Sequence, residues 1–468
     1  MDTTDHVWRK VYFDQTLVDP FCCILLAAMV IMILFAPRRY AVWPLIVVAC
    51  FITQAQRLSV ASLDFTFLRI LTIIGCFRVF IHGEYRGFKW NGCDTAMIVF
   101  MGIRTAYAFL HITKNVAITP VSMCGDTLDA WGQYFFFRCV VRDLEDLRWA
   151  TYGFMIASIP NAITMIIEWT TEVNPYYFMG GVQQSFHRGD DNALRCMNAY
   201  SHPILAGAFW APLLPLMGAM IKQKGRIKIL PLIAIGCAAV IIVACHSSSP
   251  VAGAGLAFMG GVAFLFRKRI RLIRWSFFFI VLAAQLLANS PVWKIFARLH
   301  IVGGSTGYYR FKLIDQFVHH WQEWLFVGSA KGTSTWDMPM FDIVNYYVVL
   351  GLGGGLLFII LIVWLMAAAY KNCGKALESA AGNKEDELLA WATGVSVFVH
   401  MMTFLAVTYF GQIMMIWYFS LAITGVVSRN PMRRGFSVLT GWAKDPLSRM
   451  ASRRVLPYGQ PARVGHSY

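Results

Sequence analysis

Long continuous apolar runs, separated by short polar connectors, recur from one end of this chain to the other. They do not alternate with period two, so helices rather than barrel strands are expected to carry them. The runs lie at about Phe21–Ala36, Ala41–Thr53, Leu63–Ile81, Asp94–His111, Thr127–Val141 and Trp149–Ile167. They continue from His202-Pro203 to just before Lys222, over Ile229–Cys245, from Pro250 to the basic stretch at Arg267, and over Trp275–Leu287. The last three are Tyr346–Tyr370, Leu389–Tyr409 and a run ending near Val427. A hydrocarbon core of about 30 Å needs roughly 20 helical residues, so the pattern predicts an all-α, polytopic transmembrane bundle of about 12 to 13 spans. The first, second and fifth runs are short for that thickness.

Two longer polar segments interrupt this rhythm, at 168–201 and 290–344. The second leads into Asp342, Asn345 and the glycine-rich start of the next run, Gly351, Gly353, Gly354 and Gly355. The domain reading is a polar N-terminal tail at 1–19, a bundle at 20–428 that includes both segments, and a basic tail at 429–468. That tail, poor in acids and dotted with Pro and Gly, is expected to be disordered and cytoplasmic. The first run lacks a small-residue cleavage site, so no cleavable signal peptide is expected.

Composition agrees with the pattern. Of 468 residues, 57% are hydrophobic and 14% charged, against roughly 25% charged in soluble domains. The net charge of +16 does not indicate nucleic acid, because Lys and Arg gather in short connectors such as Arg267-Lys268-Arg269. Alternating sides along the later runs places those connectors on one face, as the positive-inside rule requires. Both long polar segments then fall on the opposite, extracytoplasmic face. The eleven cysteines show no metal-ligand spacing, and no disulfide between Cys124 and Cys196 is predicted. Within the third run, Arg69 is expected to pair with Asp64 or another carboxylate.

Each polar segment carries arginines: Arg188 and Arg195 in the first, with Asp190 and Asp191, and Arg310 in the second. A guanidinium can bind phosphate oxygens through parallel N–H donors; it can equally pair with a neighbouring acid or a lipid headgroup. His319 and His320, among Phe317, Trp321 and Trp324, read as an interfacial amphipathic helix. The glycines of the run after Asn345 read as helix-packing positions. Tyr308, Tyr309 and Trp336 could stack on a sugar ring, but interfacial packing is the commoner role for such aromatics. Ser247-Ser248-Ser249 at a run's end suits satisfaction of freed backbone groups, with substrate hydrogen bonding second.

Four features occur in a fixed order between runs: Arg195 to Gly207; Ser247-Ser248-Ser249-Pro250; Ser305-Thr306-Gly307-Tyr308-Tyr309-Arg310; and Asp342 to Tyr346. In this the chain resembles the O-antigen polymerase and ligase family of bacterial envelope glycosyltransferases, and more narrowly polymerase-like members of exopolysaccharide systems. The resemblance covers all but the two tails. It implies a metal-independent, cofactor-free transfer at the periplasmic face of the inner membrane, from a polyprenyl-diphosphate-linked saccharide donor to a hydroxyl of a glycan acceptor. It maps the family's loop arginines onto Arg195 and Arg310 and makes Ser305, Thr306, Tyr309, Asn345 and Ser248 substrate-binding candidates. The implied partners are the lipid bilayer and flippase, chain-length or export proteins, with no nucleic acid. Ligase-type members carry a His immediately before the Asn; here Val344 precedes Asn345. The base therefore falls to Asp342 or His202, and His202-Pro203 also suits a helix start. The alternatives are a ligase acting on a lipid core, a lipid-saccharide transporter and a non-catalytic assembly subunit.

Overall fold

The computed structural model describes residues 15–61, 63–110, 119–187, 192–223, 228–287, 290–298, 306–340 and 342–426. Arg188, Asp190, Asp191, Ser305 and the basic tail lie outside them. The body is mostly helical. Its helices are α1 (Pro20–Phe35), α2 (Trp43–Phe51), α3 (Phe67–Ile81), α4 (Gly92–Phe109), α5 (Pro120–Val140), α6 (Leu144–Thr171), α7 (Pro203–Trp210), α8 (Leu214–Met220) and α9 (Ile229–Ala244). They continue with α10 (Ser248–Ala263), α11 (Ile270–Leu287), α12 (Ile295–Arg298), α13 (Thr306–His319), α14 (Trp321–Trp324), α15 (Tyr346–Ala380), α16 (Lys384–Thr403) and α17 (Ile413–Ile423).

Local chemistry sets the helix starts. Asp19 accepts from the amides of Phe21 (2.9 Å) and Cys22 to cap α1, with Pro20 in its first turn. Asn91 and Asp94 form a reciprocal capping box on α4, and Thr119 with Ser122 forms another on α5. Such caps satisfy amides that have no partner inside the helix. They also move boundaries: α5 begins at Pro120, ahead of its apolar run, and α6 begins at Leu144, inside what reads as a charged turn.

Four helical stretches are long and apolar enough to cross a membrane: Leu144–Thr171, Pro203–Met220, Ser248–Arg269 and Tyr346–Ala380. Pro20–Phe35, Ile229–Ala244, Trp275–Leu287 and Ile413–Ile423 are apolar but shorter. Much apolar surface faces outward, as on α11, where Phe277 is 65% and Leu287 is 84% exposed. Exposed apolar area on this scale needs a lipid or protein partner.

One expectation changes. The stretch opening the third run is not helix: Arg57–Val60 (β1) and Leu63–Thr66 (β2) pair antiparallel, Arg57 opposite Thr66. Asp64 thereby leaves the helix and pairs with Arg57 at 3.2 Å. Arg69 pairs with a carboxylate as expected, that of Asp129 on α5 at 2.7 Å, while also donating to the Asp64 carbonyl. The fold is thus helical with one small hairpin. Residues at the end of the N-terminal tail join it, with Leu17 bridged to Arg57.

α9 packs on α6, α7 and α8; α15 packs on α4 and α16; α17 packs on α5. Between them lies an aromatic core in which Phe419 meets Phe137 (5.4 Å) and Phe154 (5.3 Å) edge-on. Several charges inside this body are paired. Arg78, 2% exposed, binds Glu84 (3.0 Å) and the carbonyls of Ile33 and Ala36. Arg138 binds Asp94 (2.9 Å), which also accepts from the Tyr134 hydroxyl (2.6 Å).

α15 is interrupted. Gly354 (φ −164°, ψ 21°) and Gly355 (φ 66°, ψ −157°) leave helical geometry, and the latter conformation is open essentially to glycine alone. The loop after α14 stitches the break: the Leu356 amide donates to Leu325 O (2.8 Å), and the Ser329 amide to Leu352 O (2.8 Å). A β-carbon on Gly355 would sit 2.6 Å from that Leu325 oxygen. The glycines therefore let a loop reach into a broken helix, a closer role than helix packing.

Two substitutions test this picture by thermal unfolding in detergent. Gly355→Ala is expected to destabilise by about 2 kcal/mol or more, whereas Gly374→Ala, whose β-carbon meets nothing within 4 Å, should stabilise by about 1 kcal/mol. Equal effects would contradict the break. Arg138→Ala, which strands a buried carboxylate, should cost about 3–5 kcal/mol; an unchanged melting temperature would mean that the pair is not formed.

Candidate functional site

The segment from Leu194 to Ser201 forms no helix or strand; Leu194 bridges His187, the Cys196 amide donates to Ala244 O (3.1 Å), and side chains from elsewhere hold much of the rest. Glu168, near the end of α6, accepts the amides of Met197 (3.0 Å) and Asn198 (2.7 Å). Asn198, in the left-handed region at φ 50°, donates to Asn161 O (2.8 Å), and its own carbonyl accepts from Asn174 (2.9 Å). Gln412 donates to Ala199 O (2.8 Å), and the Ser201 hydroxyl reaches Gln54 (2.9 Å) and Gln412 (3.3 Å). Nearly all of these groups are buried, where an unmade hydrogen bond costs about 1–3 kcal/mol. The segment is held along most of its length.

This framework presents Arg195, 7% exposed. Its amide donates to Phe186 O (2.9 Å), its guanidinium lies 5.8 Å from the Phe186 ring, and its Nε donates to Cys245 O (3.4 Å). Arg310, on α13 and 8% exposed, donates through Nη2 to Ser249 Oγ (2.9 Å) and through Nε to Ala406 O (3.3 Å). Cys245 caps the end of α9 and Ser249 lies in the first turn of α10, so the two flank the connection between these helices. Four residue steps span at most about 14 Å, so the two arginines, 115 positions apart by their numbers, grip opposite ends of one short turn. Gly207 allows α7 to close on the same turn, since a β-carbon there would meet Cys245 Sγ and Pro250 Cβ at 2.6 Å.

Asp342 joins the Arg310 end. The Tyr309 hydroxyl donates to Asp342 O (2.8 Å) and accepts its amide (3.0 Å), fixing the backbone and leaving the carboxylate exposed. Partial desolvation raises its pKa from the ordinary carboxylate value, and the Arg310 charge works against that shift.

Other sequence candidates acquire structural duties. Asn345, read as substrate-binding, caps α15: its Oδ1 accepts from Tyr347 (2.9 Å) and Val348 (3.2 Å), while Nδ2 donates to Leu405 O (3.0 Å). His202, read as a base, caps α7 by accepting the Ile204 amide on Nδ1 (3.1 Å). Burial first, and Arg195 second, push its pKa down to about 3. A ring with Nδ1 occupied and so low a pKa is a poor proton acceptor at neutral pH. Arg310 reaches Ser249, while Ser248 sits beside it in the same helical turn. Thr306 opens α13. Trp336 is buried with Leu313, Phe317 and Met340, so it offers no open stacking face. Phe317 and Trp324 stack at 3.9 Å within that cluster, while His319 and Trp321 of the same stretch are exposed. Cys124 and Cys196 are both free. Among the described residues no group of three or more His, Cys, Asp or Glu is placed to hold a metal.

Sequence reasoning gave no role to Glu168, Asn161, Gln54 or Gln412, whereas Ser249 fell in the serine run read mainly as a partner for freed backbone groups. The signal available was an acid or amide at or near the end of an apolar run, which marks a group that must find a partner. No family model and no curated protein matches the chain.

The His202 assignment makes a pH prediction. Its folded pKa is depressed to about 3 from an ordinary 6.5, so its contribution to stability is full above about pH 6.5 and declines towards pH 3. His202→Asn, which retains a capping side chain, should melt within about 0.5 kcal/mol of wild type at pH 8 and lose less stability between pH 6.5 and 5. His202→Ala should cost about 1 kcal/mol at pH 8. Parallel pH profiles for wild type and His202→Asn would contradict the depressed pKa.

Proposed function

We propose that this chain is a polysaccharide polymerase of the bacterial inner membrane, a metal-independent glycosyltransferase that uses polyprenyl-diphosphate-linked saccharides. The observation that carries the reading is the shared hold of Arg195 and Arg310 on the Cys245–Ser249 turn. Two fixed positive charges beside the ends of apolar helices suit a diphosphate whose tail lies in lipid. On this reading the shorter apolar helices complete a bundle of about 12 to 13 spans, with segments 168–201 and 290–344 outside and the C-terminus cytoplasmic.

The transfer breaks the bond between the sugar's anomeric carbon and the diphosphate oxygen and forms one to the acceptor hydroxyl oxygen. Negative charge grows on the departing lipid diphosphate, where the arginines stabilise it. The hydroxyl proton passes to the Asp342 carboxylate, which Tyr309 positions. The raised pKa of Asp342 makes it a stronger base than an ordinary carboxylate. The rate is expected to fall as pH drops, and to do so at a higher pH than an ordinary aspartate would give. Val344 before Asn345 favours polymerisation over ligation to a lipid core, since the ligase-type base is missing there.

A lipid-saccharide transporter is the second reading, favoured by the break in α15, because transporters build sites at discontinuous helices. Purified protein in liposomes, given only the lipid-linked oligosaccharide, separates the two. Polymer and released polyprenyl diphosphate are expected, with Arg310→Ala lowering the rate by about 10²–10³ while the protein still accumulates. Polymer of unchanged amount and length from Arg310→Ala would remove the assigned role, and translocation without released diphosphate would favour transport.

A further inference from the structure

A second arginine site lies away from the Cys245–Ser249 turn, on α4. Arg104 stands 13 positions after the Asn91 cap, about 20 Å along the helix. Its contacts are the Met101 sulfur at 3.8 Å and the Phe100 ring, 5.4 Å from the guanidinium carbon. Among the described residues no carboxylate pairs with it. Arg69, Arg78, Arg138 and Arg148, by contrast, each hold an acid at 3.0 Å or less. Five N–H donors facing a thioether and a ring are poorly matched. Arg104 is only partly buried, five positions before the end of α4, so a group entering from outside the helices can reach it.

Arg104 lines a cavity of about 40 Å³ with Tyr107, Met123, Leu350, Gly353 and Phe358. That volume admits roughly three water-sized groups. Its far wall is the break in α15: Gly353 immediately precedes the two non-helical glycines, and Phe358 packs against Gly354, where a β-carbon would meet its ring at 2.4 Å. Tyr107 and Phe358 meet at 4.9 Å between ring centres. The cavity thus joins one guanidinium to a mostly apolar lining. Gly353 is eight residues beyond Asn345, about 12 Å down the helix from its cap.

We propose that the cavity between α4 and the break in α15 binds the phosphate headgroup of an anionic lipid, with Arg104 as its counter-ion and the apolar walls against the start of its chain. The Arg104 fork supplies two parallel donors to the phosphate oxygens. The assignment is independent of the glycosyl transfer proposed above and calls for no bond to be made or broken.

Equilibrium binding to the purified full chain in a neutral detergent tests it, using radiolabelled polyprenyl monophosphate as the probe. Wild type should bind it, Arg104→Met should weaken binding at least tenfold, Arg104→Lys should fall between, and Lys371→Met, which removes an exposed charge elsewhere on α15, should bind as wild type. Competition by phosphatidylglycerol assigns the site to bulk phospholipid; competition by unlabelled polyprenyl phosphate alone assigns it to the carrier lipid. Either result supports the site. Equal binding by wild type and Arg104→Met, equally tight binding of uncharged polyprenol, or displacement by inorganic phosphate alone would overturn it. Arg104→Met should melt at or above wild type, because it removes an unanswered charge. A much lower melting temperature, restored by Arg104→Lys without restoring binding, would make Arg104 structural and sink the proposal.

Discussion

A charged or polar group enclosed by apolar helices must find its partner within the chain, and most of this structure follows from that constraint. The pairs Arg69–Asp129, Arg78–Glu84 and Arg138–Asp94 meet it with carboxylates, tying α3 to α5, α3 to the turn that follows it, and α4 to α5. Breaking one such pair strands a charge, which is far more costly than the net worth of the pair. The arrangement therefore specifies which helix faces meet as much as it stabilises them. The Asn161–Asn198–Asn174 and Gln54–Ser201–Gln412 bonds do the same with neutral groups.

The same constraint builds the candidate site. Segment 194–201 has few backbone partners, so Glu168, Asn174 and Gln412 supply others and the Asn198 side chain ties it to Asn161. A segment held in this way can present Arg195 at a fixed place without a helix or strand beneath it. Arg310 reaches the same turn from a helix far along the chain. Preorganised charge of this kind is what stabilisation of a leaving group requires, since dipoles already in place need no reorganisation as charge develops. The break in α15 is a local exception to regular bonding, and the loop at Leu325–Ser329 provides two of the missing hydrogen bonds.

Much of the fold was legible in the sequence where the determining interactions are short-ranged. The apolar run at Phe21–Ala36 appears as Pro20–Phe35, and that at Ile229–Cys245 as Ile229–Ala244. The run at Leu63 misled because apolar content does not separate a four-residue strand from the start of a helix. Only pairing with Arg57–Val60 makes the distinction. Asn345 and His202 drew notice as polar residues at helix starts. Their position was read correctly, and capping accounts for it without substrate.

What the sequence determined by itself was the class of element and the list of groups needing partners: apolar helices, their caps, and arginines and amides set among them. Those depend on residues within a few positions of one another. The tertiary structure decided which partner each group took, giving Arg69 to Asp129 rather than Asp64, Arg310 to Ser249, and Arg104 to a cavity instead of an acid. Ion pairs and hydrogen bonds act over a few ångströms, and contacts between residues 60 or more positions apart exist only once the helices have packed.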